Sequence, residues 1–115
     1  IIAQFPTDTS TSTIYDIYYV SSFSLWEPAT KSSLVAAIGV LGLALGANGT
    51  TQGFLTHGFV RDSSTISVNA GVTLYLSTNG DFTNTVPTTG YVRIIGYAMY
   101  TNTIYFRPDN TYIDL

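Results

Sequence analysis

Residues 64–115 alternate apolar and polar side chains with a period close to two. This period places successive side chains on opposite faces of a strand, and the segments are rich in the β-branched and aromatic residues that favour strands. Strands of about five residues at roughly ten-residue spacing are typical of an all-β sandwich or barrel. The predicted strands are STISV, TLYLS, YVRIIGYAMY, TIYFRP and TYIDL.

Turn-forming residues separate these segments, and Asn79 followed by Gly80 is the strongest signal among them. Both residues tolerate the positive φ of a type I′ turn, so the pair predicts a hairpin. Gly96 predicts a bend or bulge inside its strand. Residues 108–110 (Pro-Asp-Asn) predict a turn at which the last segment folds back as a hairpin. We expect that hairpin to complete the sheet.

The length bounds the domain organisation. A chain of 115 residues buries one core but is too short for two domains. We therefore predict an all-β fold: a single antiparallel β-sandwich or barrel, jelly-roll-like, over residues 31–115. Residues 1–30 are predicted to form an extended N-terminal arm.

A Gly-rich apolar run occupies residues 34–60. It predicts a short helical turn near residues 30–37 and a buried strand near residues 40–45. A membrane span is not expected, because a spanning helix needs about 20 apolar residues. Gly39, Gly42 and Gly46 also interrupt its most apolar part, residues 34–46, and each costs a helix about 1 kcal/mol relative to Ala.

The charged fraction is low. Asp, Glu, Lys and Arg make up 10% of the chain, against about 25% in typical soluble domains. Such a surface tolerates close packing against copies of itself, because few charges must be desolvated. The net charge of −3 argues against a nucleic-acid partner. The chain has no cysteine, which excludes disulfides, thiolate metal sites and a Cys nucleophile.

Catalytic patterns are not found in the sequence. His57 is the only histidine, and Asp62 five residues later does not establish a catalytic pair. The seven acidic residues lack calcium-loop spacing, and the glycines do not form a phosphate-binding motif. We expect no metal, no cofactor and no enzymatic activity.

Arginine and tyrosine offer other interactions. Arg61, Arg93 and Arg107 lie in or beside strands, and each is expected to pair with an Asp, within the chain or in a neighbouring copy. The nine tyrosines suit cross-strand packing and subunit contact equally. Carbohydrate binding is a lesser alternative.

Five blocks between residues 36 and 115 carry a resemblance to known proteins: LGLALG (41–46), GFVR (58–61), AGVTLYLSTNGDFTNTVPTTG (70–90), VRIIGYAM (92–99) and IYFRPDNTYIDL (104–115). In these blocks the chain resembles a broad group of bacteriophage virion structural proteins, which includes head-decoration and fibre components. The resemblance implies a β-rich virion-type domain and no catalytic residues. It does not extend to residues 1–30.

The arm begins with an apolar segment that is costly to leave in water. We hypothesise that residues 1–20 reach into an adjacent subunit and add a strand to its sheet. The alternative is that the arm is the first strand of its own domain. The predicted inter-subunit contacts are Ile1, Ile2, Phe5, Ile14, Tyr15, Ile17, Tyr18, Tyr19 and Trp26.

Two classes of function follow. The first is a self-assembling subunit of an extracellular filament or a phage virion fibre, whose partners are copies of itself or a capsid or tail protein. The second is a capsid decoration protein, or a fibre-tip domain that binds carbohydrate or a receptor. Both place the protein in a virion or outside the cell.

Overall fold

A computed structural model of the chain describes residues 2–3, 12–21, 25–47, 52–62 and 66–115. Within these residues the regular structure is almost entirely strand, with one helical turn, α1 (Leu34–Ala37). The strands are β1 (Ile2–Ala3), β2 (Ile17–Val20), β3 (Trp26–Pro28), β4 (Leu41–Ala44), β5 (Phe54–Leu55), β6 (Gly58–Arg61), β7 (Thr73–Leu76), β8 (Phe82–Thr83), β9 (Tyr91–Val92), β10 (Ile94–Tyr100), β11 (Thr103–Phe106) and β12 (Ile113–Asp114).

Two five-stranded sheets form the body of the molecule. The first sheet has the strand order β1-β5-β4-β2-β3, and the second sheet has the order β6-β11-β10-β7-β8. A small two-stranded sheet pairs β12 with β9. The strand pairs are antiparallel. The predicted all-β, antiparallel sandwich is therefore confirmed.

The main core lies between the two sheets and draws large apolar side chains from both. Successive side chains along a strand point to opposite faces of its sheet, so every second side chain faces the other sheet and enters the core. The first sheet contributes Ile17, Leu41, Leu43 and Leu55, and the second contributes Leu74, Leu76, Ile95, Ile104 and Phe106.

The first sheet also buries aromatic side chains on its other face. Tyr18, Trp26 and Phe54 form a second cluster there, with Trp26 stacked on Phe54 at 4.4 Å between ring centroids and Tyr18 edge-on at 5.3 Å. Gly42 leaves room for this cluster, because a Cβ at that position would lie 2.9 Å from both Phe54 and Trp26. Strand β4 is consequently buried along its whole length. The predicted helical turn and the buried strand after it are both confirmed.

The hairpin predicted at Asn79 and Gly80 is confirmed, with φ values of 53° and 85°. Its tip joins the two sheets. The Gly80 N–H donates to the Ala29 carbonyl at 2.6 Å, and the Ile17 N–H donates to the Gly80 carbonyl at 2.7 Å. The backbone of the second sheet is thus bonded directly to the first.

The bulge predicted at Gly96 is confirmed as well. In the pairing of β10 with β7, Ile94 lies opposite Tyr75 and Gly96 lies opposite Leu74, so the register shifts between them. A Cβ on Gly96 would overlap the backbone oxygen of Tyr105 on the neighbouring strand. The position therefore requires glycine.

Two expectations about strands are wrong. The described part of STISV, residues 66–68, is not a strand, although Ile66 is buried in the core. The last segment does not form a hairpin with β11 around residues 108–110. Instead β12 pairs with β9, with Ile113 opposite Val92. In the first case the apolar residue Ile66 is buried without any strand pairing. In the second case the last strand pairs with β9, which is more distant in the sequence than β11.

Gly96→Ala should lower the free energy of unfolding by about 1–3 kcal/mol, because the added methyl group has no space next to a backbone oxygen. Chemical denaturation measures this change. Met99→Ala on the same strand is the control. Met99 is exposed, so its substitution should change stability by no more than about 0.5 kcal/mol. Equal effects of the two substitutions would contradict the assignment of a tight bulge.

Candidate functional site

Aromatic side chains cross the outer face of the second sheet in one row. Phe59 on β6 lies opposite Tyr105 on β11, and Tyr105 lies opposite Tyr97 on β10. Phe59 is 64% exposed and Tyr97 is 40% exposed. We call Phe59, Tyr105 and Tyr97 the aromatic row. It is an apolar surface directed away from the core.

Strand alternation explains why these side chains face outward. Val60 and Ile104 pack toward the core, so their neighbours Phe59 and Tyr105 point to the other side. The rings of Phe59 and Tyr105 are stacked, with centroids 4.6 Å apart and planes inclined by 21°. Such a pair is stabilised by about 0.5–1.5 kcal/mol beyond the area it buries. The row is therefore ordered before any partner arrives.

The exposed surface continues along β10 beyond the row. Met99 and Tyr100 follow Tyr97 on this strand, and both are exposed. Exposed single apolar residues are common, but a contiguous group of large ones is a recognised mark of an interaction site.

The loop of residues 108–110 follows β11 and borders the aromatic row. Arg93, which is only 4% exposed, holds this loop in place. Its Nε donates to the carbonyl of Asp109 at 2.8 Å, and its Nη1 donates to the carbonyls of Ala37 and Gly39 at 3.1 and 2.9 Å. The Asp109 N–H in turn donates to the Ile94 carbonyl at 2.8 Å.

This arrangement corrects the expectation that Arg93 pairs with a carboxylate. Its hydrogen bonds go to backbone carbonyls, and they tie the loop to the end of α1. Burial lowers the pKa of Arg93, and the nearby charge of Asp109 opposes that shift. The side chain acts as a positioning group for the loop.

Two cavities lie on either side of Asp109. One has a volume of about 300 Å³, and the other, more apolar, has a volume of about 290 Å³. The first is lined by Tyr97, Arg107, Pro108, Asp109 and Asn110. The second is lined by Tyr75, Val86, Val92, Ile94, Asp109, Thr111, Tyr112 and Ile113.

Three of the predicted inter-subunit residues belong to the interior of this chain. Ile17 is fully buried in the core between the sheets, and Tyr18 and Trp26 are 6% and 4% exposed in the aromatic cluster of the first sheet. Their side chains are covered by their own chain and offer no surface to another subunit. Strands β2 and β3 likewise pair within the first sheet, so a boundary at residue 30 does not separate them from the β-domain.

The other predicted contact residues differ in their positions. Ile2 lies on the edge strand β1 and is 56% exposed, and Ile14 is also exposed. Tyr19 is half-buried and packs against the main core. Ile1 and Phe5 lie outside the described residues.

Tyr15, also among the predicted contacts, has a positive φ of 66° and a hydrogen bond within the chain. Its hydroxyl donates to Asp62 Oδ2 at 2.7 Å. Burial and this interaction with Asp62 raise the pKa of Tyr15 to about 12. The bond joins the N-terminal segment to the residue that follows β6.

Two further structural findings concern chemistry and membranes. Across the described ranges, no three His, Asp or Glu side chains are placed to hold a metal ion together. His57 is on the surface. None of the helical residues that the structure describes belongs to a segment long and apolar enough to span a membrane.

No protein-family model, curated protein or solved structure matches this chain. The resemblance to phage virion proteins therefore stays a prediction. Function has to be inferred from the outer face of the second sheet and the loop beside it.

Arg93→Ala should lower the free energy of unfolding by about 3 kcal/mol, because it leaves the buried carbonyl of Ala37 and the part-buried carbonyls of Gly39 and Asp109 without this donor. Arg93→Lys should recover only part of this loss, since one ammonium does not reproduce the planar donor geometry. Thermal or chemical denaturation provides the comparison. The control is Arg107→Ala, an exposed arginine on the same loop, which should change stability by about 0.5 kcal/mol or less. If both alanine variants were equally stable, Arg93 would not hold the loop.

Tyr15 should ionise at about pH 12, because burial and the interaction with Asp62 raise its pKa. The folded-state pKa lies above the unfolded value near 10, so the stabilisation is complete below pH 10 and is lost as pH rises toward 12. Tyrosinate absorbance followed during a pH titration tests this. Tyr15→Phe should remove the absorbance change near pH 12, whereas Tyr112→Phe, at an exposed site, should keep it. An absorbance change near pH 12 that persists in Tyr15→Phe would contradict the assignment.

Proposed function

We propose that the protein is a non-enzymatic structural subunit that assembles with copies of itself. The observation that carries this proposal is the aromatic row of Phe59, Tyr105 and Tyr97 on the outer face of the second sheet. A stacked, exposed aromatic surface in a chain of low charge favours association with a similar surface over retention in water.

The energetic argument rests on area and charge. Aromatic side chains bury about 150–250 Å² each, and each Å² of apolar area removed from water contributes about 25 cal/mol. Aromatic residues are enriched in protein interfaces, whereas charged residues are depleted there. Only 10% of this chain is charged, so little desolvation cost opposes the contact.

The N-terminal strand supplies a second, different contact. Strand β1 has only two residues and lies at the edge of the first sheet, where it pairs with β5. Only two residues of β1 pair with β5, so replacing β1 with the same strand of a neighbouring copy would break few backbone hydrogen bonds. A contact between two different surfaces is head-to-tail, and it generates a filament unless the rotation closes into a ring. This supports a subunit of an extracellular filament or a virion fibre.

The strand exchange is limited by the bonds of residues 12 and 13. The Ser12 N–H donates to the Ala47 carbonyl at 3.1 Å, and the Thr13 N–H donates to the Tyr18 hydroxyl at 2.8 Å. These bonds hold the chain to the first sheet from residue 12 onward. The segment that passes to a neighbour is therefore residues 1–11, shorter than the 1–20 expected from sequence.

A second candidate function is a decoration protein of a capsid, or a fibre-tip domain that binds carbohydrate or a receptor. The specific observation in its favour is the cavity beside Tyr97 on the 108–110 loop. Under this alternative the partner of the aromatic row is a capsid or tail protein, and the purified chain alone stays monomeric or forms small closed oligomers.

Phe59→Ser should weaken self-association of the purified protein at least tenfold, because it removes the most exposed ring of the row. Electron microscopy and sedimentation at neutral pH give the readout. Val35→Ser is the matched control, since Val35 on α1 is also 64% exposed but lies away from the row. If the wild type and both variants assembled equally, the aromatic row would not be part of the interface between copies.

Deletion of residues 1–11 should abolish filaments while leaving a folded chain, since the bonds of Ser12 and Thr13 are kept. Circular dichroism and thermal unfolding monitor the fold, and electron microscopy monitors assembly. An unfolded product would show that the segment belongs to its own domain. Unchanged filaments would show that the aromatic row alone carries assembly.

A further inference from the structure

We propose that the cavity between Tyr97 and the 108–110 loop is a binding subsite for a neutral pyranose sugar. This inference does not rest on self-assembly, because the cavity lies within a single chain. Its lining combines one aromatic ring with side chains that donate and accept hydrogen bonds: Arg107, Asp109 and Asn110.

Tyr97 provides the apolar part of the subsite. It is 40% exposed at the end of the aromatic row and lines the cavity. One face of a pyranose ring presents C–H groups, which pack on an aromatic ring while the hydroxyl groups at the ring's edge stay available for hydrogen bonds. Its backbone position is fixed by the pairing of β10 with β11, in which Tyr97 lies opposite Tyr105.

Three side chains with different hydrogen-bonding groups supply the polar part of the subsite. Arg107 brings a guanidinium with only donors, Asp109 a carboxylate with only acceptors, and Asn110 an amide with both. Each hydroxyl of a sugar both donates and accepts hydrogen bonds, so neighbouring hydroxyls can bond to the donors and the acceptors of this group together. Asp109 Oδ1 already accepts bonds from the Thr111 N–H and hydroxyl, both at 3.0 Å. A carboxylate has about four acceptor positions, so capacity remains for a ligand.

The loop is fixed in advance of any ligand. The carbonyl of Asp109 accepts from the buried Arg93, and its N–H donates to Ile94. The bonds from Thr111, followed by one from the Asn110 N–H, lower the pKa of the Asp109 carboxyl, which keeps it an acceptor at neutral pH. Preorganisation of this kind reduces the entropy lost on binding.

Charge and volume define the class of sugar. The lining holds one guanidinium, from Arg107, and one carboxylate, from Asp109, so its formal charges cancel. A neutral sugar matches a lining that carries no net charge. A volume of about 300 Å³ is at the lower end for small-molecule sites, which run from roughly 300 to 1,000 Å³. The cavity therefore suits one or two rings of a longer glycan.

Saturation-transfer difference NMR on the full chain, at a dilution at which it is monomeric, tests the proposal, because Tyr97 also belongs to the proposed contact between copies and is covered in the assembly. The probes are glucose, galactose and N-acetylglucosamine, with N-acetylneuraminic acid as the acidic comparison. We expect saturation of the ring C–H protons of at least one neutral sugar. Tyr97→Ala and Asn110→Ala should each weaken its binding at least tenfold. Tyr100→Ala, which removes an exposed tyrosine outside the cavity, should leave binding unchanged.

Three results would overturn the proposal: no saturation of any neutral sugar, binding of the acidic sugar alone, or neutral-sugar binding that survives both cavity substitutions. Phe59→Ser separates this test from that of assembly, since Phe59 is not part of the cavity lining. Sugar binding kept in Phe59→Ser, whether or not the variant assembles, assigns the ligand to the cavity. Sugar binding lost in Phe59→Ser but kept in Tyr97→Ala would assign it to the stacked pair of Phe59 and Tyr105 instead.

Discussion

The core between the two sheets determines which side chains remain on the surface of the second sheet. Because Leu74 and Ile104 must face the first sheet, Tyr105 and Phe59 face outward. The bulge at Gly96 then reverses the alternation along β10. Ile95 and Gly96 together occupy the space opposite Leu74, so Tyr97 points outward and completes the aromatic row. Gly96 therefore allows the close packing of β10 on β11 and also determines that the side chain of Tyr97 is exposed.

The tip of the β7–β8 hairpin performs a similar connecting role on the opposite side of the molecule. Gly80 exchanges backbone hydrogen bonds with Ala29 and Ile17, which places the second sheet directly against the first. This contact has an electrostatic cost. The Asp16 carboxyl lies beside Gly80, and burial followed by the charge of Asp81 raises its pKa. The backbone hydrogen bonds of Gly80 with Ala29 and Ile17 require this close approach, so the cost at Asp16 accompanies them.

Local patterns predicted much of this fold. Period-two alternation, the positive φ of Asn79 and Gly80, the bulge at Gly96 and the buried strand after a helical turn are all encoded within a few residues. What the patterns did not predict were partners distant in sequence. The pairing of β12 with β9 and the three carbonyls around Arg93 depend on how the strands are ordered in space.

At the candidate site, too, the types of residue could be predicted from the sequence, whereas their positions depended on contacts between segments distant in the sequence. The C-terminal tyrosines were predicted to serve cross-strand packing or subunit contact equally, with carbohydrate binding a lesser alternative, but their sorting into inner and outer faces needed the register of β6, β11 and β10. The aromatic residues of the N-terminal segment were expected to be intermolecular. The structure buries Tyr18 and Trp26 against Phe54 of the same chain. A signal for this existed in the small residue Gly42, which makes room for the cluster.

Hydroxyl-radical footprinting of the assembled protein and of dilute monomer tests whether the aromatic row is the contact between copies. The radical oxidises side chains according to their exposure to solvent. We predict that Phe59, Tyr97 and Tyr105 are oxidised in the monomer and protected in the assembly, while Val35 on α1 reacts equally in both states. Assemblies in which the aromatic row is oxidised as fast as in the monomer would show that the outer face of the second sheet is not the contact between copies.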